Sequence, residues 1–273
     1  MTDLYAVLGN PVAHSKSPLI HSEFARQTGQ DMDYGAILAP LDGFAATIGR
    51  LRMEGYRGCN VTVPFKFEAF SLSTSHTERA EIAKTVNTLK FAEEGVFGDN
   101  TDGAGLVADI RNNHHVAISN KRILLVGAGG DAWGALFPLL AEMPERLIIS
   151  NRTIAKAEEA VRVFSSRARR KTEFAARAFD ALAGERFDIV INATSSGLKD
   201  ELPALPQGLF AEGSLAYDMM YGKKTPFMTF AIEQGAEKIA DGLGMLVEQA
   251  AESFFFWRGI RPETRPVIEK LKS

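Results

Sequence analysis

The chain has 273 residues, of which 45% are hydrophobic and 24% are charged, values that are ordinary for globular proteins and exclude a disordered or fibrous chain. A formal net charge of −3 argues against nucleic acid as a partner, because proteins that bind polyanions usually carry a basic surface. One cysteine, Cys59, excludes an internal disulfide, and neither a signal peptide nor an apolar run of roughly 18 residues is recognisable. We therefore expect a soluble cytoplasmic protein with no membrane partner.

The first hundred residues alternate short β-like runs with helical patterns. The β-like runs are "LYAVLG", "DYGAIL" and "CNVTV", and helices are predicted over Pro18 to Gly29 and over Leu41 to Glu54. This alternation predicts parallel strands joined by helical crossovers. The runs "NTLKF" and "GVFGD" follow with a short acidic turn between them, and they predict a hairpin.

A second alternating series begins at Arg122. Its strand segments are "RILLVGAGG", "RLIISNRT", "FDIVINATSSG", "LAYDMMY" and "KIADG". Near-continuous apolar strands of this kind are typical of a doubly wound sheet buried on both faces. The last pattern, Leu243 to Trp257, is helical, and we expect it to fold back onto the first half. The predicted fold class is therefore α/β with two α/β domains: a central doubly wound domain over residues 105–242, inserted in a discontinuous domain formed by residues 1–104 and 243–273.

The segment "LLVGAGGDAWG" places Gly127, Gly129 and Ala132 in the G-x-G-x-x-[G/A] spacing. Gly127 permits a tight turn, Gly129 lets the backbone approach a pyrophosphate, and the following helix N-terminus supplies free N–H groups. Glycines also end strands for conformational reasons alone. The apolar strand before this turn and the helical pattern after it favour a Rossmann-type dinucleotide site.

The end of the next strand indicates which dinucleotide binds. A carboxylate at this position would bond the ribose 2′-hydroxyl of NAD and repel the 2′-phosphate of NADP. The sequence instead has Asn151, Arg152 and Thr153, with Lys156 one turn later. Because a guanidinium can grip a phosphate and an ammonium adds positive charge, NADP is the expected cofactor. The alternative is that both cations are solvated charges at a helix start.

Lys66 and Asp102 are candidates for proton transfer. Pro64 suits the first position of a helix, which would place Lys66 in the first turn, where the dipole and partial burial would lower its pKa. The alternative is an exposed lysine whose stem covers apolar surface. Asp102, in "GDNTDG", is also typical of a turn residue before a glycine.

The loop "GNPVAHSKSPLIH" contains two serines and two histidines. Ser17, before Pro18, suits a helix N-cap, whereas Ser15 has no such structural role. The histidines could be acid/base groups or metal ligands, but five scattered histidines and a single cysteine form no ligand cluster. We expect no metal.

Nine segments follow one another along nearly the whole chain: "GNPVAHSKSP", "NVTVPFK", "TVNTL", "GDNTDG", "GAGG", "NRT", "INATSSG", "YDMMYGKKTPF" and "DGLGMLVEQAAESF". Together and in this order they resemble the shikimate dehydrogenase family. The resemblance implies reduction of 3-dehydroshikimate to shikimate with NADPH, in aromatic amino-acid biosynthesis. It also implies that the discontinuous domain binds the substrate and the central domain binds NADP.

The resemblance implies roles for individual residues. Lys66 and Asp102 match the family's acid/base pair, which would share the substrate's hydroxyl proton across the gap between the domains. The implied substrate-binding residues are Ser15, Ser17, Thr62, Asn87, Tyr217 and Gln249. The implied cofactor-binding residues are Gly127, Ala128, Gly129, Gly130, Asn151, Arg152, Thr153, Lys156, Thr194, Gly242 and Met245.

Three residues depart from the family's pattern. Asp131 and Trp133 stand where many relatives have a small residue and an arginine, and Lys156 replaces a frequent arginine. An acid at a helix N-terminus competes with a pyrophosphate for the same N–H groups, and a lysine cannot form a bidentate clamp. We expect NADP to be preferred over NAD but bound more weakly than in a relative with both arginines.

Other functions remain open from the sequence. The nearest is a quinate or quinate/shikimate dehydrogenase built on the same site. A protein of another class, a non-catalytic regulator that binds NADP, would keep the fold, although the presence of both Lys66 and Asp102 argues against it. A methylenetetrahydrofolate dehydrogenase has a related plan, but the serine loop and "GDNTDG" favour a polyol substrate. We expect a monomer or a homodimer.

Overall fold

The computed structural model describes residues 2–168, 171–194 and 200–272. The chain forms two compact units. The first unit consists of the residues up to Gly105 together with those from Leu246 onwards, and the second runs from Leu106 to Met245.

The first unit contains a six-stranded mixed sheet with helices between its strands. In chain order its elements are β1 (Asp3–Gly9), α1 (Ser17–Thr28), β2 (Met32–Leu38), α2 (Phe44–Met53), β3 (Tyr56–Val61), α3 (Lys66–Leu72), β4 (Ser75–His76), α4 (Glu78–Ala83), β5 (Thr88–Ala92) and β6 (Gly95–Asp99). The sheet order is β2-β1-β3-β5-β6-β4. Strands β1, β2 and β3 pair in parallel, as the alternating pattern predicts, and β5 and β6 form the predicted antiparallel hairpin.

Local sequence explains where several of these helices begin and end. α1 ends at Gly29, which adopts a left-handed conformation with φ 64° that glycine tolerates best. α4 begins after Thr77, whose hydroxyl accepts the N–H of Ala80. Gly58 allows β3 to lie against β5, because a Cβ at this position would stand 2.4 Å from the Leu89 carbonyl oxygen.

Two predicted helix starts differ from the structure. α3 begins at Lys66 and not at Pro64, because the Phe65 N–H donates to the Thr62 carbonyl and closes a turn before the helix. α1 already includes Ser17, and its N-cap position is Lys16, which makes no side-chain cap bond. Ser17 is therefore not the N-cap that its position before a proline predicts.

Two C-terminal helices complete the first unit. α9 spans Leu243–Arg258 and α10 spans Arg265–Lys272. Residues of both helices form one buried cluster with α1, as the prediction of a folded-back C-terminus requires. The cluster consists of Ile20, Phe24, Val247, Ala250, Ala251, Phe254, Val267 and Ile268.

The second unit contains a six-stranded sheet whose strands are all parallel. A helix α5 (Asp102–Ala108) leads into it, followed by β7 (Arg122–Val126), α6 (Gly130–Ala141), β8 (Arg146–Ser150), α7 (Ile154–Phe164), β9 (Glu173–Ala176), β10 (Phe187–Asn192), β11 (Phe210–Asp218), α8 (Pro226–Glu233) and β12 (Lys238–Ala240). The sheet order β12-β11-β10-β7-β8-β9 is that of a doubly wound Rossmann-type sheet. The predicted α/β fold class is confirmed.

The core of the second unit lies against its parallel strands. Leu124, Val126, Ile148 and Val190 are fully buried strand residues in one apolar cluster.

Within the described part of the chain, no helix is both long enough and apolar enough to cross a membrane.

Candidate active site

The segment from Asp99 to Asp102 is held by buried hydrogen bonds on the first unit. Arg79 donates to both carboxylate oxygens of Asp99, at 2.7 and 2.6 Å. The side chain of Asn100 donates to the Thr85 hydroxyl at 2.8 Å and accepts the N–H of Asp102 at 3.2 Å. Thr85, Asp99, Asn100 and Asp102 are buried and Arg79 is partly buried, so the segment presents Asp102 in a fixed position.

The structure brings Lys66 and Asp102 together. Lys66 Nζ donates to Asp102 Oδ2 at 2.8 Å, and the two side chains are only 11% and 10% exposed. The interpretation of Lys66 as an exposed lysine is therefore wrong. Both residues lie in the first unit, so the expectation that they face each other across a gap between domains is also wrong. Lys66 is the first residue of α3 and Asp102 is the first residue of α5.

Asn87 and Gln249 lie at the same place. Asn87 Nδ2 donates to Asp102 Oδ1 at 2.8 Å, and the Thr101 hydroxyl donates to Gln249 Oε1 at 3.3 Å. Gly105 makes this approach of α5 and α9 possible, since a Cβ there would stand 2.6 Å from the backbone nitrogen of Gln249. The arrangement offers a cation, a carboxylate and two amides within one buried polar cluster.

Ser15, Ser17 and Thr62 follow the carboxyl ends of two adjacent parallel strands. Ser15 follows β1, and its hydroxyl accepts the N–H of Ser17 at 3.2 Å. Thr62 directly follows β3, and its N–H donates to the Leu8 carbonyl at 2.8 Å. Carboxyl ends of parallel strands are where ligands bind in open α/β sheets. Asn87 lies at the same sheet edge, because its carbonyl accepts the Val61 N–H at 2.7 Å.

Tyr217 does not fit its predicted role. It lies in β11 of the second unit with no exposed surface, and its hydroxyl donates to Asp109 Oδ2 at 2.6 Å. Burial raises the pKa of Tyr217 well above its usual value, so the hydroxyl stays protonated in that bond. We remove Tyr217 from the set of substrate-binding residues, because its side chain is fully buried and its hydroxyl already donates to Asp109. Its position in the middle of an apolar strand was the sequence signal for a buried structural role.

The glycine turn from Gly127 to Gly130 has the geometry of a phosphate-binding loop. Gly127 follows β7 with φ 115°, and a Cβ there would stand 2.9 Å from the Ala193 carbonyl oxygen. A Cβ at Gly129, by contrast, would meet nothing within 4 Å among the described residues, so the backbone is open to a ligand. α6 begins at Gly130 and points its free N–H groups at this space. Ala128 and its neighbours in this turn thus fit a pyrophosphate.

The cations predicted to select NADP follow β8. Arg152 and Lys156 are exposed near the N-terminus of α7, and neither forms a salt bridge with any residue that the structure describes. Thr153 occupies the N-cap position, and its carbonyl accepts from Asn151 Nδ2 at 2.9 Å. Since the dipole at a helix N-terminus disfavours cations, an anionic ligand would relieve this arrangement. The residues present therefore fit a 2′-phosphate.

The remaining predicted cofactor residues, Thr194, Gly242 and Met245, also belong to the second unit. The Thr194 hydroxyl donates to Asn192 Oδ1 at 2.8 Å, just after β10. Gly242 is required by packing, because a Cβ there would stand 2.1 Å from the Met219 carbonyl oxygen. Met245 is buried in the first turn of α9. The end of the "INATSSG" motif, residues 195–197, lies outside the described residues.

The residues that depart from the family's pattern lie on α6. Asp131 is in the first turn of this helix, where an acid is favoured by the dipole. Trp133 packs edge-on against Phe164, with ring centroids 5.5 Å apart. Trp133 is therefore anchored to α7 through this aromatic contact.

Sequence reasoning missed the buried polar residues around Asn87. They are Asn60, Thr88, Thr101 and Ser253, all at most 6% exposed. The available signal was a polar side chain inside an apolar segment, as in "CNVTV" and "AESFFF". Such residues must find partners within the fold, and here they find each other.

Three family models match separate parts of the chain. Residues 7–89 match the shikimate dehydrogenase substrate binding domain, residues 109–199 match shikimate / quinate 5-dehydrogenase, and residues 242–272 match the shikimate 5′-dehydrogenase C-terminal domain.

Whole-chain relatives agree. A shikimate dehydrogenase (NADP(+)) of Nitrosospira multiformis is 59% identical over 100% of this chain and 98% of its own length. The crystal structure of an Ael1 enzyme from Pseudomonas putida has a TM-score of 0.92 and 46% identity, covering 99% of this chain and 98% of the other. That of a shikimate 5-dehydrogenase from Thermus thermophilus, in complex with NADP(H) and shikimate, has a TM-score of 0.87 and 29% identity, covering 99% of each chain. The chain therefore belongs to the shikimate dehydrogenase family.

Proposed function

We propose that the protein is an NADP-dependent shikimate dehydrogenase that reversibly reduces 3-dehydroshikimate to shikimate in aromatic amino-acid biosynthesis. The observation that carries this proposal is the buried pair of Lys66 and Asp102, 2.8 Å apart, with Asn87 donating to the same carboxylate. Membership in the family and the name of the relative from Nitrosospira multiformis support the substrate and the cofactor.

Lys66 and Asp102 move the proton of the reaction. A bound NADPH would supply the hydride for the carbonyl carbon of 3-dehydroshikimate. As the C=O double bond becomes a C–O single bond, the oxygen takes a proton from Lys66, and Asp102 keeps the ammonium group aimed at this oxygen. In the oxidation of shikimate, the same pair accepts the hydroxyl proton.

The other proposed substrate residues bind and orient a polyhydroxylated acid. Ser15, Ser17 and Thr62 offer hydroxyls at the carboxyl ends of β1 and β3, and Asn87 and Gln249 offer amides beside the acid/base pair. A ring with a carboxylate and several hydroxyls needs several aimed hydrogen-bond partners, and these side chains supply them. We place this substrate site in residues 1–104 and 243–273.

We place NADP binding in residues 105–242. The turn from Gly127 to Gly130 would receive the pyrophosphate, and Asn151, Arg152, Thr153 and Lys156 would surround the 2′-phosphate. The open space at Gly129 and the exposed cations without described ion-pair partners support this assignment. Asp131, an acid beside the pyrophosphate, supports weaker binding than in a relative with a small residue there. The buried free thiol of Cys59 supports a place in the reducing cytoplasm.

A spectrophotometric assay of NADP reduction with purified protein tests the proposal. We expect a higher kcat/KM for shikimate than for quinate, and a higher value with NADP than with NAD. A preference for quinate would turn the assignment to the quinate/shikimate branch of the family. Absence of turnover with both substrates would favour the non-catalytic regulator.

A further inference from the structure

A row of buried hydrogen bonds crosses the first unit and ends on the Asp102 carboxylate. Every residue in the row is at most 9% exposed. We call it the Tyr34–Asp102 network, and its members in order are Tyr34, Asn60, Ser253, Thr88, Asn87 and Asp102. These residues come from β2, β3, α9, β5, the segment before β5 and α5.

The direction of the network is set at Asn60 by a backbone carbonyl. Asn60 Nδ2 lies 3.2 Å from the Asn87 carbonyl oxygen, which can only accept, so the amide nitrogen must face that way. The side-chain oxygen of Asn60, Oδ1, consequently faces the Tyr34 hydroxyl, which donates to it at 2.7 Å. Burial raises the pKa of Tyr34 well above its usual value, which keeps this donor protonated.

The direction is set a second time at Asn87, by a backbone N–H. The Thr101 N–H can only donate, and it lies 2.9 Å from Asn87 Oδ1. The amide nitrogen of Asn87 therefore faces Asp102 and donates to Oδ1 at 2.8 Å. A reversed amide would bring its carbonyl oxygen against the carboxylate, and two acceptors would repel each other.

Two hydroxyls connect the two amides. Thr88 donates to Asn87 Oδ1 at 2.9 Å, which uses its only proton. We therefore assign Ser253 as the donor in the contact of 2.8 Å between Ser253 Oγ and Thr88 Oγ1; the Ser253 hydroxyl also lies 3.1 Å from the Gln249 backbone carbonyl oxygen. Ser253 Oγ in turn accepts from Asn60 Nδ2 at 2.9 Å. All donors in the row thus point toward Asp102.

We propose that Thr88 and Ser253 are positioning residues of the reaction, which act through Asn87 to hold the Asp102 carboxylate toward Lys66. Hydrogen bonds that run in one direction polarise one another, so each hydroxyl strengthens the amide donor at the end of the row. Neither hydroxyl touches the acid/base pair. This inference rests on the proposed function, since it concerns the same pair.

Matched variants at Thr88 test the proposal. Thr88→Val keeps the shape of the side chain but removes its donor, and Thr88→Ser keeps the donor. We expect Thr88→Val to lower kcat for shikimate oxidation about 5- to 20-fold with KM within about twofold, because the loss is that of one buried hydrogen bond felt at the proton transfer. Thr88→Ser should retain wild-type kcat within about twofold. Thermal melts of each variant measure folding separately.

Ser253→Ala and the double variant add a second test. We expect Ser253→Ala to lower kcat about threefold, and the double variant with Thr88→Val to be no slower than Thr88→Val alone, because both act through one row. Three results would overturn the proposal. Thr88→Val could turn over at the wild-type rate, or Thr88→Val and Thr88→Ser could lose kcat equally. The third is a double variant whose loss of kcat is the product of the two single losses.

A crystal structure of Thr88→Val gives a readout that needs no activity. We expect the Asn87 amide to move away from Asp102, and an unchanged Asn87–Asp102 hydrogen bond would overturn the proposal. Failure of the proposed function would appear differently: the wild-type protein would be inactive, and the Asn87 amide would still be displaced in the Thr88→Val crystal structure.

Discussion

Lys66 shows how a single side chain acquires its chemistry from its surroundings. Its ammonium group is 2.8 Å from Asp102 Oδ2, and only 11% of the side chain is exposed. Phe65, the preceding residue, is fully buried and Phe67, the following one, is exposed, so the lysine stands at the edge of the apolar core. The Lys66 ammonium is therefore largely shielded from solvent in its hydrogen bond to Asp102, and the exposed part of its side chain leaves access for a substrate.

We predict that Lys66→Ala lowers kcat by at least about 10²-fold while KM for shikimate changes by a small factor, because the variant loses general acid/base catalysis but keeps the hydroxyls and amides that bind the ring. Steady-state kinetics with NADP measure both constants. Lys84→Ala is the matched control, since Lys84 is an exposed lysine of the same unit. Turnover near that of the wild type in Lys66→Ala would return this lysine to a structural role.

His21 is a buried titratable residue that the proposed reaction does not use. Its ring stacks on Tyr34 with centroids 4.1 Å apart and lies among Phe24, Phe254 and Trp257. Burial lowers the pKa of His21 from 6.5 to about 3. The folded protein therefore binds this proton far less readily than the unfolded chain does.

The consequence for stability has a definite sign. Above pH 6.5 the histidine is neutral in both states, and as the pH falls below that value only the unfolded state gains the proton, so the free energy of unfolding decreases. We predict that this residue accounts for about 2 kcal/mol of lost stability between about pH 8 and about pH 5. Urea titrations at the two pH values should show that His21→Leu loses this part of the pH dependence, whereas His14→Gln, at an exposed histidine, keeps it. An unchanged difference in His21→Leu would contradict the prediction.

At the scale of elements, α8 depends on the residue that starts it. Thr225 is its N-cap: the hydroxyl accepts the Met228 N–H at 3.2 Å and donates to Asp218 Oδ2 at 2.5 Å. Burial raises the pKa of Asp218, and the Thr225 hydroxyl opposes this shift. One hydroxyl thus satisfies both a helix terminus and a buried carboxyl at the end of β11.

We predict that Thr225→Val destabilises the protein by about 2 kcal/mol, because the helix loses its cap and Asp218 loses a donor. Thr225→Ser keeps both bonds and should stay within about 0.5 kcal/mol of the wild type. Urea denaturation followed by circular dichroism measures both differences. A loss in Thr225→Ser as large as that in Thr225→Val would contradict the prediction, because it would mean that the methyl group contributes as much as the hydroxyl.

Elements also differ in how well the sequence predicts them. Strands with long apolar runs, such as β7 and β10, begin where the sequence predicts them, because burial on both faces selects a continuous apolar pattern. The sequence does not predict β9, whose four residues are too few to show a period. Nor does it predict α10, whose helical pattern becomes clear only when Val267 and Ile268 are known to face the α1 and α9 cluster.

At the scale of the whole molecule, each unit has its own sheet and its own buried clusters. The proposed substrate residues other than Tyr217 lie in the first unit, and the proposed cofactor residues lie in the second. Ligands that bind the folded protein stabilise it by mass action, so each site can be probed through global stability as well as through turnover.

We predict that NADP at about 100 times its Kd raises the melting temperature by about 5 °C or more, and that NAD at the same concentration gives less than about half that shift. Arg152→Ala should reduce the NADP shift to the NAD level, because it removes the proposed partner of the 2′-phosphate. Arg162→Ala, an exposed arginine at the other end of α7, is the matched control. Equal shifts from NAD and NADP in the wild type would contradict the assignment of the cations to that phosphate.

The sequence alone determined the fold class, the family and the glycine turn, because these depend on local patterns: apolar runs, turn residues and motifs short enough to read along the chain. It named Asn87 and Gln249 as candidates only through a resemblance, and for Lys66 and Asp102 it left proton transfer and an ordinary structural role both open. Nothing in their spacing along the chain says that they meet.

Only the tertiary structure decided which polar residues become partners. It buried Lys66, took Tyr217 out of the substrate set, and joined Ser253 to Thr88 across 165 positions of the chain. The physical reason is that a buried polar atom must find its partner among whatever atoms the packing brings within hydrogen-bond distance. That distance is a property of the folded sheets and helices, and the order of residues along the chain does not contain it.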